Sequence, residues 1–135
     1  KMLDPDFNAG MEVIVLPNLY GDIVTDVAAE HAGGLGTACS SNIGNEYALF
    51  EAIHGTAPYL MSHGRGAYAN PCSLIRAVGQ MLGHIGYADR NKLLEEALEI
   101  CTETEKKLVV TTFAEDASAA EFTDYLLETI QRIRK

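Results

Sequence analysis

The chain has 135 residues, of which 47% are hydrophobic, so it has the length and composition of one globular domain with its own apolar core. Its formal charge of −9 argues against nucleic acid as a partner, because the phosphate backbone attracts cationic proteins. No apolar run approaches the roughly eighteen residues of a membrane-spanning helix, which argues against a membrane as partner.

The first part of the chain predicts a strand followed by a helix. Residues 11–16 are apolar and rich in β-branched side chains, which favours a buried strand ending at Pro17. Residues 20–32 predict a helix, and residues 33–41 predict a glycine-initiated loop. The buried side of this helix is predicted to carry Ile23, Val27 and Ala28. Residues 45–53 predict a second strand of mixed pattern.

The second part of the chain is predicted to be mainly helical. A long loop over residues 54–69 leads into it. Three helices are predicted, over residues 71–84, 90–107 and 118–134, from apolar side chains at helical spacing. Ser118 followed by Glu121 is the capping-box pattern that begins the last of them. A short extended segment, residues 108–113, is predicted between the last two helices.

Strands that alternate with helices predict an α/β layered domain over residues 1–135, with few strands flanked by helices. Only two or three strands are predicted, and a sheet that small has exposed edges and rarely stands alone. We therefore expect the chain to pair with a further segment, to oligomerise through its helices, or to expose apolar surface.

The three cysteines, Cys39, Cys72 and Cys101, are an odd number without metal-ligand spacing. This pattern predicts a reducing compartment and no disulfide framework. We expect the protein in the cytoplasm, or in the mitochondrial matrix of a eukaryote, since this segment carries no targeting signal. The chain begins with Lys1 instead of an initiator methionine, so we expect it to begin within a longer sequence.

Two carboxylates, Asp22 and Asp26, lie four residues apart just after the first predicted strand. On a helix that spacing places both side chains on one face. If Asp22 opens the helix, the pair lies at the end of the strand, where two like charges favour a hard cation such as Mg²⁺ or Mn²⁺. The alternative is that Asp22 caps the helix and Asp26 is a solvated acid of its first turn.

Six motifs in a fixed order extend this interpretation. They are NLYGDIVTD at 18–26, GGLG at 33–36, NIG at 42–44, FEAIHGTAP at 50–58, ANP at 69–71 and MLGHIG at 81–86. With these motifs the chain resembles the isocitrate/isopropylmalate dehydrogenase family, the metal-dependent β-decarboxylating dehydrogenases. The resemblance covers essentially the whole chain and is nearest to the NAD-type isocitrate dehydrogenases.

The resemblance implies that the chain is the C-terminal part of the large cofactor-binding domain of this fold. It implies that the N-terminal part, the substrate-binding arginines and the small domain with the catalytic tyrosine and lysine are absent. The family's third metal-binding aspartate is then expected upstream of Lys1. We therefore expect half of an active site, inactive alone, within a homodimer or larger oligomer or with the missing N-terminal portion.

The implied activity is oxidative decarboxylation of a 2-hydroxy acid, such as isocitrate or 3-isopropylmalate, with NAD or NADP and Mg²⁺ or Mn²⁺. The alternative is a non-catalytic regulatory or nucleotide-binding module derived from the same family. The resemblance assigns Asp22 and Asp26 to the metal, and it implies no certain catalytic residue in this segment.

The resemblance also implies a set of cofactor-binding residues. The adenosine-binding loop corresponds to His54, Gly55, Thr56, Ala57 and Pro58, with Asn70 as an adenine contact. Glu51 corresponds to a glutamate near the nicotinamide, and the alternative is an exposed strand acid. The GGLG motif at 33–36 is interpreted mainly as a structural turn close to the cofactor.

The residues after HGTAP favour NAD as the cofactor. NAD-using members of the family usually carry Asp there, NADP-using members often carry Lys-Tyr, and this chain has Tyr59-Leu60 in a longer loop. Glu115 would repel a 2′-phosphate if its side chain pointed toward it. His63 and Arg65 are the candidate cations for NADP, which therefore stays an alternative.

Overall fold

The computed structural model describes residues 9–10, 13–31, 34 and 36–134. Their helices are α1 (Asn18–His31), α2 (Pro58–Ser62), α3 (Cys72–His84), α4 (Ala88–Glu99) and α5 (Ala119–Ile133), and their strands are β1 (Cys39–Ile43) and β2 (Ala48–Ala52). A 3₁₀ turn covers Gly66–Tyr68, and a π-helix, Ile100–Glu105, continues α4. No helix of this described part is long and apolar enough to cross a membrane.

The two strands form an antiparallel hairpin, with Cys39 opposite Ala52 and Ile43 opposite Ala48. One face of the hairpin packs on α3, where the rings of Phe50 and His84 lie 5.5 Å apart. Since side chains alternate along a strand, the other face carries Ser40 opposite Glu51. The prediction of a strand over 45–53 is confirmed by β2. The loop predicted through residue 41 is wrong, because β1 begins at residue 39.

The core lies between α3, α4 with its π-helical extension, and α5. Its buried members are Cys72, Ala97, Leu98, Cys101, Phe122, Tyr125 and Leu126. The three predicted helices are confirmed, and local signals explain their ends. Pro71 occupies the N-cap position of α3, and the capping box between Ser118 and Glu121 is formed at the start of α5. The second helix ends at residue 105 instead of 107, because Lys106 is left-handed with a φ of 49°.

Close packing between α3 and α4 depends on two glycines. A Cβ at Gly79 would lie 2.7 Å from Asn91 Oδ1, and one at Gly83 would lie 3.3 Å from Asn91 Nδ2. The Asn91 side chain therefore lies against the bare backbone of α3. A larger residue at position 79 therefore has to displace the Asn91 side chain or separate the two helices.

The polar side of the core is organised by Glu105 at the end of the π-helix. Its carboxylate accepts hydrogen bonds from the Tyr125 hydroxyl at 2.7 Å and from Lys107 Nζ at 2.9 Å, and Arg132 Nη2 lies 2.8 Å away. These partners, Tyr125 first, lower the pKa of Glu105 to about 2. Burial and the bond to Glu105 raise the pKa of Tyr125. The contacts of Glu105 with Tyr125 and Arg132 connect α5 to the end of the π-helix.

The three cysteines are free thiols. Cys72 and Cys101 lie in the core, whereas Cys39 is half-buried on β1. Burial is the largest cause that raises the pKa of Cys72, to about 11, and it also raises the pKa of Cys39.

The strand predicted over residues 11–16 is wrong over the residues that the structure describes, 13–16. Residues 11 and 12 lie outside the described residues, and residues 13–17 have no regular structure. Val13 and Val15 are 80% and 89% exposed. Within the described chain only β1 and β2 pair, so this apolar segment has no neighbour to complete its backbone hydrogen bonds.

Helix α1 is confirmed but begins two residues before the predicted position 20, at Asn18. Its predicted buried side is wrong, since Ile23 and Val27 are 55% and 56% exposed and Ala29 is the buried residue. No other described helix or strand packs extensively against α1. Its apolar side chains therefore form an exposed strip, which is one of the outcomes expected for so small a sheet.

Two connecting segments also differ from expectation. The loop predicted over 54–69 contains α2 and the 3₁₀ turn, because Pro58 starts a helical turn at a position where its missing N–H is not needed. The extended segment predicted over 108–113 has no regular structure. It belongs to an irregular loop, residues 109–117, which is closed by a hydrogen bond of 3.2 Å from the Ala117 amide to the Val109 carbonyl. We call it the 109–117 loop.

Candidate functional site

Two neighbouring cavities lie where α1, the end of β2 and the loop after β2 meet. The larger has a volume of about 500 Å³ and the smaller about 430 Å³. Both are lined by Asp26, Ile53, His54 and Gly55. These shared residues form the boundary between the cavities, so a molecule in one cavity lies next to a molecule in the other.

The smaller cavity is acidic. It is lined by Asp22 and Asp26 from α1 and by Glu51 from the outer face of the hairpin. Thr25 and Ser40 add hydroxyl groups to this lining. Glu51 is held from the side by Asn42, whose Nδ2 donates to Glu51 Oε1 at 3.2 Å. The hairpin thus places Glu51 in the lining of the same cavity as the predicted carboxylate pair.

The position of Asp22 within α1 removes the capping part of the alternative, whereas both Asp22 and Asp26 are exposed to solvent. The helix begins at Asn18, and its first turn contains no acid. The Pro17 carbonyl accepts the first helical hydrogen bond, at 2.8 Å from the Gly21 amide. Asp22 therefore neither opens nor caps the helix, and both carboxylates project from its body on one face, one turn apart.

The donor chemistry of this cavity fits a hard divalent cation, since carboxylate and hydroxyl oxygens are the ligands that such ions prefer. The described residues do not supply a complete set of metal ligands. Among the residues that the structure describes, no group of three or more His, Cys, Asp or Glu side chains is arranged to hold a metal ion. Asp22 and Asp26 are two charged oxygen donors in the described lining of this cavity.

The larger cavity is formed by the loop that follows β2. His54, Gly55, Thr56 and Ala57 line it, whereas Pro58 is the first residue of α2 and lies outside the lining. Ala57 is left-handed with a φ of 46°, and its carbonyl accepts a bond of 3.1 Å from the Met61 amide. A Cβ at Gly55 would meet open space, so the backbone is accessible from the cavity there.

Asn70 also lines the larger cavity and is held by the start of α3. Its Oδ1 accepts a hydrogen bond of 2.9 Å from the Cys72 amide at the start of α3. Gly36 approaches it closely, since a Cβ at that position would lie 3.2 Å from Asn70 Cβ. Gly36 itself lines the cavity. The predicted turn at 33–36 therefore contributes a wall residue, although residues 33 and 35 lie outside the described part.

Thr112 is a wall residue that the sequence did not predict. It lines the larger cavity from the 109–117 loop and is left-handed with a φ of 72°, which is unfavourable for a β-branched residue. Leu60 and Met61 of α2 complete the wall beside it. No local pattern marks Thr112, because it reaches the cavity through a contact between segments far apart in the chain.

The two candidate cations for a 2′-phosphate are both engaged elsewhere. Arg65 Nε donates to the Thr112 carbonyl at 2.8 Å, and its guanidinium lies 4.7 Å from the centre of the Phe113 ring. His63 Nδ1 lies 2.9 Å from the Tyr59 carbonyl, and its ring stacks on Tyr59 at 4.2 Å. The described lining of the two cavities contains neither residue and no other arginine or lysine.

Comparison with known proteins places this geometry in a family context. Residues 4–126 match the family model described as isocitrate/isopropylmalate dehydrogenase. The chain is 43% identical over 130 residues to a mitochondrial regulatory subunit of isocitrate dehydrogenase (NAD) from Dictyostelium discoideum, a match that covers 96% of the chain and 35% of that relative. It is 51% identical over 86 residues to isocitrate dehydrogenase (NADP) of Rickettsia typhi, covering 64% of the chain and 17% of that relative.

A solved structure agrees with these matches. The crystal structure of isocitrate dehydrogenase from Methylococcus capsulatus superposes with a TM-score of 0.80 at 34% identity, covering 93% of the chain and 38% of that protein. The predicted fold class is thereby confirmed. The chain spans less than two-fifths of the length of each of these three proteins.

Proposed function

The chain belongs to the isocitrate/isopropylmalate dehydrogenase family, and we propose that it supplies the nucleotide cavity and part of the metal site of an NAD-dependent enzyme that oxidises and decarboxylates a 2-hydroxy acid such as isocitrate. One observation carries this proposal. The acidic cavity and the larger cavity share the boundary formed by Asp26 and His54. A dinucleotide whose adenosine lies in the larger cavity can extend its nicotinamide across this boundary toward Glu51 and a metal-bound hydroxy acid, as hydride transfer requires.

In the proposed site, Asp22 and Asp26 hold Mg²⁺ or Mn²⁺, and the substrate and residues outside the described part complete the coordination. The metal, when bound, polarises the substrate oxygen and stabilises the negative charge left by decarboxylation. Glu51 lies on the far side of the same cavity, where its charge also favours a cation. Its bond from Asn42 keeps the carboxylate on the cavity side of the hairpin.

The larger cavity is proposed to take the nucleotide. Gly55 and Thr56 offer backbone groups at its surface, and Asn70 presents an amide already oriented by its bond to Cys72. His54 is exposed and borders both cavities, so its ring is available to pack on a base. Pro58 acts indirectly, by starting α2 directly behind the loop.

The charges around the cavity favour NAD over NADP. A 2′-phosphate is bound in proteins by arginine or lysine, and the described lining contains neither. Arg65, one of the two candidate cations, is bonded to the Thr112 carbonyl. Asp26 adds a negative charge to the wall, which disfavours an additional phosphate.

A second candidate function is a regulatory subunit that binds the same ligands without turnover. It is favoured by the match over 96% of the chain to a relative whose name is that of a regulatory subunit. Under this proposal the cavities bind nucleotide or hydroxy acid, and the protein changes the activity of a partner subunit. Either function implies assembly. The exposed strip of α1, which includes Ile23 and Val27, supports contact with a second copy or with the N-terminal portion.

The experiment that separates these functions measures NADH formation by the full-length protein from isocitrate and from 3-isopropylmalate with Mn²⁺. Turnover that is lost in Asp26→Asn and kept in Asp124→Asn, an exposed acid on α5, supports the enzyme. Binding of NAD or isocitrate without turnover supports the regulatory subunit. Neither turnover nor binding contradicts both.

A further inference from the structure

Arg65 joins two walls of the larger cavity that are distant in sequence. Its backbone is fixed to α2 by a hydrogen bond of 3.0 Å from the Arg65 amide to the Leu60 carbonyl, and Leu60 lines the cavity. Its guanidinium donates through Nε at 2.8 Å, and through Nη2, to the carbonyl of Thr112. One side chain thus connects the wall formed by α2 to the wall formed by the 109–117 loop.

The residue that receives these bonds is held in an unfavourable conformation. Thr112 has a φ of 72°, and a β-branched side chain in the left-handed region persists only where surrounding contacts maintain it. The two donors of Arg65 on a single carbonyl are such a contact. The guanidinium also lies 4.7 Å from the centre of the next residue's ring, Phe113.

The rest of the 109–117 loop is held by local hydrogen bonds and by Val110, which packs against the core. The Asp116 amide bonds the Phe113 carbonyl at 3.2 Å, the Ala117 amide bonds the Val109 carbonyl at 3.2 Å, and the Thr111 hydroxyl donates to the Asp116 carboxylate. The loop has no helix or strand of its own. The two hydrogen bonds from Arg65 to the Thr112 carbonyl are the charge-assisted link between this loop and the segment that follows α2.

We propose that Arg65 is a positioning residue, which clamps the 109–117 loop against α2 and so places Thr112 in the wall of the nucleotide cavity. This proposal rests on the proposed nucleotide binding for its functional consequence. Arg65 acts through Thr112, and its guanidinium is not a ligand of the 2′-phosphate. Loss of the clamp then weakens the binding of NAD and the binding of NADP by a similar factor.

The test uses hydrogen exchange of the full-length protein at the amides of Asp116 and Ala117, which report the closed loop. In Arg65→Met we expect exchange at both amides to be at least about tenfold faster, because a charged clamp has been removed. Arg65→Lys keeps one charge without the planar fork, so its exchange rates should be intermediate. Arg90→Met, at an exposed arginine on α4, should exchange like the unaltered protein. Unchanged exchange in α5 shows that the variants are folded.

Calorimetry with NAD and with NADP completes the test. We expect Arg65→Met to weaken the binding of each nucleotide that the unaltered protein binds by about tenfold. The ratio of the NAD and NADP affinities should stay unchanged. Exchange that stays at the unaltered rate in Arg65→Met overturns the clamp. If Arg65→Met loses affinity for NADP alone, Arg65 is a phosphate ligand and the proposal is overturned. Faster amide exchange in Arg65→Met with unchanged NAD affinity also overturns it. If the unaltered protein binds neither nucleotide, the proposed function fails, while the exchange rates still decide the clamp.

Discussion

Asp26 on α1 and His54 in the loop after β2 both lie on the boundary between the acidic cavity and the larger cavity. The two residues come from separate segments of the chain, the body of α1 and the loop that follows β2. The Asp26 carboxylate, which is proposed to bind a cation, and the His54 ring, which is proposed to pack on a base, therefore lie at the same boundary between the cavities. That arrangement couples the proposed metal site to the proposed nucleotide site.

The first prediction concerns the carboxylate at this edge. Asp26→Asn should weaken Mn²⁺ binding by the full-length protein at least about tenfold, because affinity for a hard cation follows the number of charged oxygen ligands. Calorimetric titration with Mn²⁺ measures the change. Asp124→Asn removes an exposed acid of α5 and serves as the matched control. Unchanged Mn²⁺ affinity in Asp26→Asn would remove this residue from the metal site.

The second prediction concerns the pH dependence of stability through Glu105. Its pKa is lowered from 4.5 to about 2 by the bonds from Tyr125 and Lys107 and by Arg132. A lowered pKa in the folded state contributes stability that is fully present above the unfolded value of 4.5 and is lost as the pH falls through about 2. Glu105→Gln should therefore be less stable than the unaltered protein above pH 4.5, and the two should converge toward pH 2.

Urea unfolding at a series of pH values measures this difference. Glu99→Gln, at an exposed acid on α4, is the control and should show no such convergence. A difference between Glu105→Gln and the unaltered protein that is the same at every pH would show that the charge of Glu105 plays no part.

The third prediction concerns the contact between α3 and α4. Gly79→Leu should lower the free energy of unfolding by about 1–3 kcal/mol, because the new side chain meets Asn91 where even a Cβ would lie 2.7 Å away. Gln80→Leu, on the exposed side of the same helix, should change stability by no more than about 0.5 kcal/mol. Chemical denaturation measures both variants. Equal effects of the two substitutions would contradict the close approach of the helices.

The fourth prediction orders the reactivity of the thiols. Cys39 is half-buried, whereas Cys72 is buried and its pKa is raised to about 11 by burial. Since the thiolate is the reactive form, iodoacetamide should modify Cys39 first and reach Cys72 and Cys101 only on unfolding. Peptide mass spectrometry follows each site, and the same reaction in urea provides the reference. Modification of Cys72 as fast as Cys39 in the native protein would contradict the core described for α3 to α5.

The helical half of the fold could be predicted from the sequence because its signals are local. Pro71 starts α3, and the Ser118–Glu121 box starts α5, whatever the rest of the chain does. The strand predicted from the apolar run 11–16 was wrong over residues 13–16 for the opposite reason, since a strand is stable only with a neighbour, and no described segment pairs with these residues. β1 was missed because Ser40, Ser41 and Asn42 lack the apolar or β-branched character of a strand.

The candidate site also has a part that the sequence predicted and a part that it did not. Motif order identified Asp22, Asp26, Glu51, His54 and the loop to Ala57, and the structure places them around two adjoining cavities. Pro58 was grouped with them but lies behind the lining. Thr112 and the engagement of Arg65 could not be predicted, because they depend on a contact between residues 47 positions apart.

The measurement that tests the central claim most directly is calorimetric titration of the full-length protein with NAD and, separately, with NADP in the presence of Mn²⁺. The larger cavity, without arginine or lysine in its described lining, predicts that NAD binds at least about tenfold more tightly than NADP. Tighter binding of NADP, or no binding of either nucleotide, would contradict the assignment of this cavity to NAD.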